Sequence, residues 1–218
     1  TNNYSTAYND SLGIEKLQKY ASLFGLNERT GIEIEEAAPQ IANEFPVMAA
    51  IGQSNNNYTT VQLARYVTAV ANEGTVYQYT LLNRLEESDG NVLQTFEPQV
   101  RNQIDVLDTE EWNAIHSGMR MVVENTKEFD GFPIEAAGKT GTAQQNLKRP
   151  NHALFVGYAP YDDPEISIAT RIAYGYTSHN AAKLARNVFA YYFNVENEDE
   201  LLNGQAANGN SSSNEISD

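Results

Sequence analysis

Ala136-Ala137-Gly138-Lys139-Thr140-Gly141-Thr142-Ala143-Gln144 is the stretch on which the fold turns. Two incompatible local structures contain Gly-Lys-Thr. A phosphate-binding loop needs a further glycine five positions before Gly138, and a helix directly after the motif. Pro133 stands at that position, and Gly141-Thr142-Ala143-Gln144, a polar loop and Pro150 follow. The other structure is Lys-Thr-Gly-Thr on a β-strand. Alternate side chains of a strand share a face, so Lys139 and Gly141 point one way and Thr140 and Thr142 the other. At a strand edge beside a cleft, an ammonium, hydroxyls and backbone N–H groups can together receive an anionic acyl substrate. Gly141 has no Cβ, which lets such a substrate come close to the backbone. Taken alone, Lys-Thr-Gly also fits a solvent-facing β-edge.

Strand-like runs continue on the C-terminal side, at 152–159 and 166–174, after the signature run 134–143. Tyr161-Asp162-Asp163-Pro164 turns between the last two. Short links between consecutive strands imply antiparallel pairing and an α+β class. A helix over 179–193 follows, with Leu184, Val188, Tyr191 and Tyr192 read as its apolar side. On the N-terminal side, Asp108 and Glu111 form a capping-box pattern opening a helix over 109–124. Asp89-Gly90 between 79–85 and 92–96 signals a hairpin. Two more helices are expected. One spans 10–24, capped by Asp10 and ended by Gly25, with Leu12, Leu17, Tyr20, Ala21 and Phe24 on one face. The other spans 60–73, capped by Thr59 or Thr60 and ended by Gly74, with Val61, Leu63, Ala64, Val67 and Val70 inward.

The 218 residues carry 29 acidic and 14 basic side chains, a net charge of −15. Residues 196–218 hold six of the acids and no base, and are rich in Asn, Ser and Gly. That composition reads as a disordered tail, so residues 1–194 are assigned to the folded part and 195–218 to the tail. So acidic a body disfavours binding to nucleic acid and to anionic lipid. Without cysteine, disulfide scaffolds, cysteine-zinc sites, iron–sulfur clusters and thiol nucleophiles are excluded. No metal and no cofactor are expected. His152 reads as a packing residue at a strand start, His116 and His179 as surface residues. Trp112 reads as packing at a helix start, and Glu35-Glu36, Glu86-Glu87 and Asp162-Asp163 as solvated charge.

The flanks of the signature narrow the choice. Leu12-Gly13-Ile14-Glu15-Lys16-Leu17, Ala50-Ile51-Gly52-Gln53, Thr60-Val61-Gln62-Leu63-Ala64, Asn72-Glu73-Gly74-Thr75, Gly118-Met119-Arg120-Met121-Val122-Val123 and His152-Ala153-Leu154-Phe155-Val156-Gly157-Tyr158-Ala159-Pro160 stand in order around it. In order and spacing, residues 12–193 resemble the C-terminal part of the transpeptidase domain of class B penicillin-binding proteins. The resemblance implies a serine β-lactamase/D,D-transpeptidase-like α+β fold, incomplete here because two strands and the nucleophile helix come from further upstream. It implies a parent enzyme outside the cytoplasmic membrane that cross-links peptidoglycan. There a serine attacks the penultimate D-Ala carbonyl of a stem peptide, and β-lactams acylate the same serine. The partners implied are D-Ala-D-Ala stem peptides, β-lactams and wall-synthesis proteins of the membrane, with no nucleic acid.

In that scheme Lys139 supports the proton network and positive field at the serine. The Thr140 and Thr142 hydroxyls hold the substrate carboxylate, with Gly141 between them. The Thr142 N–H is one of two oxyanion-hole donors, a role worth about 3–4 kcal/mol in other enzymes. Gln144 lines the cleft floor. The departure is equally specific. Ser-x-x-Lys, which carries the family nucleophile, occurs nowhere in the chain. Ser117-Gly118-Met119-Arg120 is the nearest match and lies in the wrong helix. The family's Ser-x-Asn motif belongs just upstream of the first helix, and Ser54-Asn55-Asn56 matches it by letters only. The expectation is a C-terminal fragment that keeps one of three signatures, inactive by itself, its serine lying outside the chain. The rival readings are a non-catalytic interaction module of the wall-synthesis machinery and an antibiotic-sensing or antibiotic-hydrolysing relative.

Overall fold

A computed structural model describes residues 10–145, 147–197 and 201. The Asp10 cap and Leu12 fall outside the described side chains, and most of the expected tail falls outside the described residues. The chain divides into two compact units, residues 1–114 and 115–218.

The first unit begins with α1 (Asp10–Leu23). Leu17 is half-buried, and Ala21 joins Leu26 and Ile41 in a small core with Phe24, just past the helix, Tyr58 and Tyr66 at its margin. Tyr20, expected on that face, is exposed instead, with the Lys19 ammonium 5.8 Å from its ring. The apolar run after residue 45 forms a short helix, α2 (Pro46–Ala50), with proline in its first turn, where the missing N–H costs nothing.

Helix α3 (Thr60–Ala71) opens with a complete capping box: the Thr59 side chain accepts from the Gln62 N–H, and Gln62 Oε1 accepts from the Thr59 N–H at 2.8 Å. Beyond its last residue the chain turns away at Gly74, whose N–H donates to Ala69 O at 2.7 Å and whose φ of +110° disfavours ordinary side chains. Its buried face is more polar than the periodicity suggests. Val67 and Val70 are buried as expected, but Val61, Leu63 and Ala64 are only half-buried while Gln62 and Arg65 are fully buried. The reason lies at the C-terminal end of α1, where backbone carbonyls lack helical partners. The Arg65 guanidinium, 1% exposed, donates to the carbonyls of Gly25, Glu28 and Arg29, and Gln62 Nε2 donates to Glu28 O at 2.9 Å. Glu36 is likewise not solvated charge. It is 9% exposed and accepts from Thr30 Oγ1 at 2.9 Å and from the Gly31 N–H at 3.1 Å.

Two antiparallel ladders complete this unit. Strand β1 (Thr75–Gln78) pairs with β4 (Gln99–Gln103), and β2 (Arg84–Glu86) with β3 (Val92–Thr95) as a hairpin around Asp89-Gly90, as expected, although its first arm begins at Arg84 and residues 79–83 are not strand. Helix α4 (Thr109–Glu124) starts with the predicted reciprocal box: Glu111 N–H donates to Asp108 Oδ1 at 2.9 Å and Asp108 N–H to Glu111 Oε2 at 3.0 Å. Trp112, in its first turn, is buried.

The second unit is a three-stranded antiparallel sheet covered by a helix. The strands β5 (Ala137–Ala143), β6 (His152–Ala159) and β7 (Ile166–Ile172) lie in the order β5-β6-β7, as the short links require. Helix α5 (Ser178–Tyr192) packs on one sheet face. Its inward residues are Ala181, Ala182, Ala185 and Phe189, which share a core with Ala153, Phe155 and Ala159 of β6 and with Phe129. Leu184, Val188, Tyr191 and Tyr192, expected inward, are exposed, Leu184 at 43% and Tyr191 at 59%. Three alanines let the helix axis approach the sheet, and one phenylalanine fills the remaining space. The larger residues turn away. His116 is half-buried rather than on the surface, 5.7 Å edge-on from the Tyr158 ring. Glu196, at the start of the expected tail, pairs with Arg186 of α5.

Candidate functional site

The signature occupies β5, which among the described strands is an edge strand, next to β6. The register is Gly138↔Gly157, Lys139↔Val156, Thr140↔Phe155, Gly141↔Leu154 and Thr142↔Ala153. Directly paired residues share a face. Thr140 and Thr142 therefore lie on the face of Phe155 and Ala153, which α5 covers, and Lys139 and Gly141 on the opposite face with Val156 and Leu154. Lys139 and Thr142 are exposed, Thr140 and Gly141 half-buried, and Gln144 is exposed just beyond the strand. The Lys139 Nζ donates to the Thr140 carbonyl at 2.8 Å. Ammonium and hydroxyls thus leave opposite faces of one strand, and they can act on one ligand only along the edge turned away from β6. The backbone groups of one strand residue point the same way, and residues two apart share that direction. Thr142 therefore directs its N–H as Thr140 does. A strand over residues 137–143 also removes the phosphate-loop reading, which requires a helix N-terminus there.

Gly138 has a role that motif matching misses. A Cβ on it would stand 2.3 Å from Cζ of Phe155 and 2.8 Å from the Val156 carbonyl, and a Cβ on Gly157 would stand 2.6 Å from the Ala137 carbonyl. The paired glycines leave room for the buried Phe155 ring. Gly141 differs: a Cβ there meets only the Leu154 side chain, Cβ at 3.4 Å and Cδ1 at 4.0 Å. Gly138 and its cross-strand partner Gly157 thus serve packing, while Gly141 has space beside it.

His152, the first residue of β6, is 7% exposed. Burial first, and the neighbouring Arg171 second, lower its pKa below the ordinary 6.5. It lies opposite Ala143 at the end of the signature strand, and its contacts were not anticipated beyond packing. Ser54-Asn55-Asn56 is structural: Asn56 Oδ1 accepts from the Ala42 N–H at 2.8 Å, Asn55 Oδ1 from the Asn43 N–H at 3.1 Å, and Ser54 Oγ donates to Glu44 O at 2.5 Å. Ser117 is exposed on α4. A cavity of about 210 Å³ borders Arg120, Phe129, Phe132 and Glu135 and includes no signature residue. Among the described residues no group of three or more His, Asp or Glu is placed to hold a metal ion, and no helix is long and apolar enough to cross a membrane.

An α+β unit with Lys-Thr-Gly-Thr on an edge strand defines a class, and comparison with known families gives the same result. The chain belongs to the penicillin-binding protein transpeptidase domain family, whose model matches residues 1–190. It is 33% identical over 227 residues to the peptidoglycan D,D-transpeptidase MrdA of Haemophilus influenzae, covering 88% of this chain and 34% of that protein. It is 26% identical over 226 residues to penicillin-binding protein 2A of Bacillus subtilis, covering 91% of this chain and 31% of the other. Among solved structures, penicillin-binding protein 2B of Streptococcus pneumoniae matches with a TM-score of 0.73 at 25% identity, over 84% of this chain and 33% of that one. The chain spans about a third of the length of the curated relatives it matches.

Proposed function

We propose that residues 1–194 are the C-terminal portion of the transpeptidase domain of a peptidoglycan D,D-transpeptidase, followed from residue 195 by an acidic tail. The parent enzyme cross-links stem peptides ending in D-Ala-D-Ala through a serine acyl-enzyme, and β-lactams acylate that serine. The observation that carries this reading is Lys139-Thr140-Gly141-Thr142 on the edge strand β5, in a chain of this family. Lys139 supplies positive charge at the strand edge. Thr140 and Thr142 offer hydroxyls to the substrate carboxylate, Gly141 lets the acyl group approach, and the Thr142 N–H stabilises the oxyanion. Gln144 borders the same edge. No Ser-x-x-Lys occurs in the 218 residues, so the nucleophile belongs to residues of the parent outside this chain. The parent acts on the outer side of the bacterial cytoplasmic membrane, beside membrane-bound wall-synthesis proteins.

The test is labelling with a fluorescent penicillin. The full-length parent should give a band that survives boiling in SDS, and Thr142→Val should weaken it through loss of a carboxylate contact. The 218-residue chain alone should give no such band. A parent that is folded yet never labelled would overturn the reading and favour the non-catalytic interaction module, to which the missing Ser-x-x-Lys also points.

A further inference from the structure

Gln144 and Gln145 follow the signature strand, and residues 147–151 lead into β6. Several contacts tie this connection to the turn that follows β7, and His152 stands at their centre. Its Nδ1 accepts the Tyr174 backbone N–H at 3.1 Å. A neutral imidazole accepting at one nitrogen carries its proton on the other, so Nε2 donates to Gln145 Oε1, 3.0 Å away. The two rings of His152 and Tyr174 lie 4.9 Å apart at 36°. Arg149 donates to the Tyr174 hydroxyl at 2.6 Å with its guanidinium 5.3 Å from the ring, and the Tyr176 N–H donates to Asn151 O at 3.1 Å.

The turn being held is strained. Tyr174 and Tyr176 have left-handed φ of +54° and +65° on either side of Gly175. A Cβ on Gly175 would stand 2.8 Å from Ile172 Cβ and 2.9 Å from Ala153 Cβ. Large side chains occupy this region of φ only where their surroundings over-determine it.

We propose that neutral His152 is a positioning residue for the signature strand: with Arg149 and Asn151 it ties Gln145, just past that strand, to the strained turn 174–176, and its protonation releases that lock. The proposal rests on the reading of β5 as the substrate edge. The charged and titratable groups against the ring are Arg171 of β7, whose Nη2 is 3.5 Å from Nε2, and the Tyr174 phenol with Arg149. The facing residue on β5 is the uncharged Ala143. Protonation turns Nδ1 into a donor facing a donor and sets a second cation beside Arg171. Burial and Arg171 already lower the pKa below 6.5. The lock is therefore complete above that value and is lost as pH falls through the folded-state value.

The experiment follows acylation of the full-length parent by a fluorescent penicillin across pH, for wild type, His152→Phe and His152→Asn. Phe keeps a ring but no acceptor. Asn places an oxygen near Nδ1 and does not titrate. At neutral pH, His152→Phe should acylate on the order of tenfold more slowly, within the up to hundredfold that a misplacement of about 1 Å costs, and His152→Asn should stay close to wild type. Wild type should lose rate on an acid limb below 6.5 that His152→Asn lacks. A circular dichroism melt checks folding, and if His152→Phe does not fold, the acid limb of His152→Asn decides alone. A Phe variant at wild-type rate, an Asn variant as slow as Phe, or an Asn variant with the wild-type acid limb overturns the proposal. A folded wild-type parent that no penicillin acylates at any pH overturns the reading of β5 instead.

Discussion

At the scale of single residues, the glycines of the signature strand divide by what a methyl group would meet. On Gly138 it would collide with the buried Phe155 ring and a backbone carbonyl, and on Gly141 it would make an ordinary contact with Leu154. Gly138→Ala should therefore destabilise the fold by about 1–3 kcal/mol, the cost of overpacking, read as a lower midpoint in denaturant titration. Gly141→Ala should leave the midpoint within about 0.5 kcal/mol yet slow penicillin acylation of the parent protein. Equal midpoints for the two variants would show that Phe155 yields freely. A second prediction concerns Glu28. Arg101 donates to both its carboxylate oxygens, at 3.0 and 2.8 Å, and this pairing is the main reason its carboxyl is held below 4.5. The carboxyl of the unfolded chain titrates near 4.5. The pair therefore stabilises the fold fully above that pH and ceases to do so as pH falls through the lower folded value. Arg101→Gln should lower the melting temperature near neutral pH and leave it unchanged in acid where Glu28 is protonated. A loss that persists in acid would assign Arg101 a packing role.

At the scale of elements, local chemistry made the boundaries legible. The Asp108/Glu111 and Thr59/Gln62 boxes sit where α4 and α3 begin, because capping is settled by residues three apart. The pairing of β1 with β4 was not legible. The strands are short, separated by the whole β2–β3 hairpin, and their register is broken between Val76 and Tyr77. The inward face of α5 was misread because its sequence offers two apolar stripes, and periodicity favours the one with larger side chains. The sheet accepts the alanine stripe. Phe189→Ala should then cost about 3–5 kcal/mol, as for other buried phenylalanines, while Leu184→Ala should cost less than about 1 kcal/mol. Equal losses in thermal unfolding would mean that a partner covers the Leu184 side in solution.

At the scale of the whole molecule, the sheet order leaves β7 paired on one side among the described strands. Its sequence is Ile166-Ser167-Ile168-Ala169-Thr170-Arg171-Ile172, and the exposed Leu184, Val188 and Tyr191 add apolar surface on α5. An apolar edge strand is a template for pairing between chains. The 218-residue chain alone should therefore sediment as oligomers or aggregate despite its charge of −15. A monomer with a cooperative melt above about 60 °C, near the top of the usual mesophile range, would show that the edge is protected.

Sequence by itself determined the caps that open α3 and α4, the order of three antiparallel strands, the signature strand and the family, because each depends on neighbours within a few residues or on motifs in fixed order. Only tertiary structure decided which face of α5 is buried, that Arg65 and Glu36 belong inside, and that Gly138 makes room for Phe155. It also decided that His152 joins the signature strand's exit to the turn after β7. These outcomes depend on groups far apart in the chain. A buried polar or bulky group settles where partners and space from other elements converge, and spacing along one segment carries no record of them.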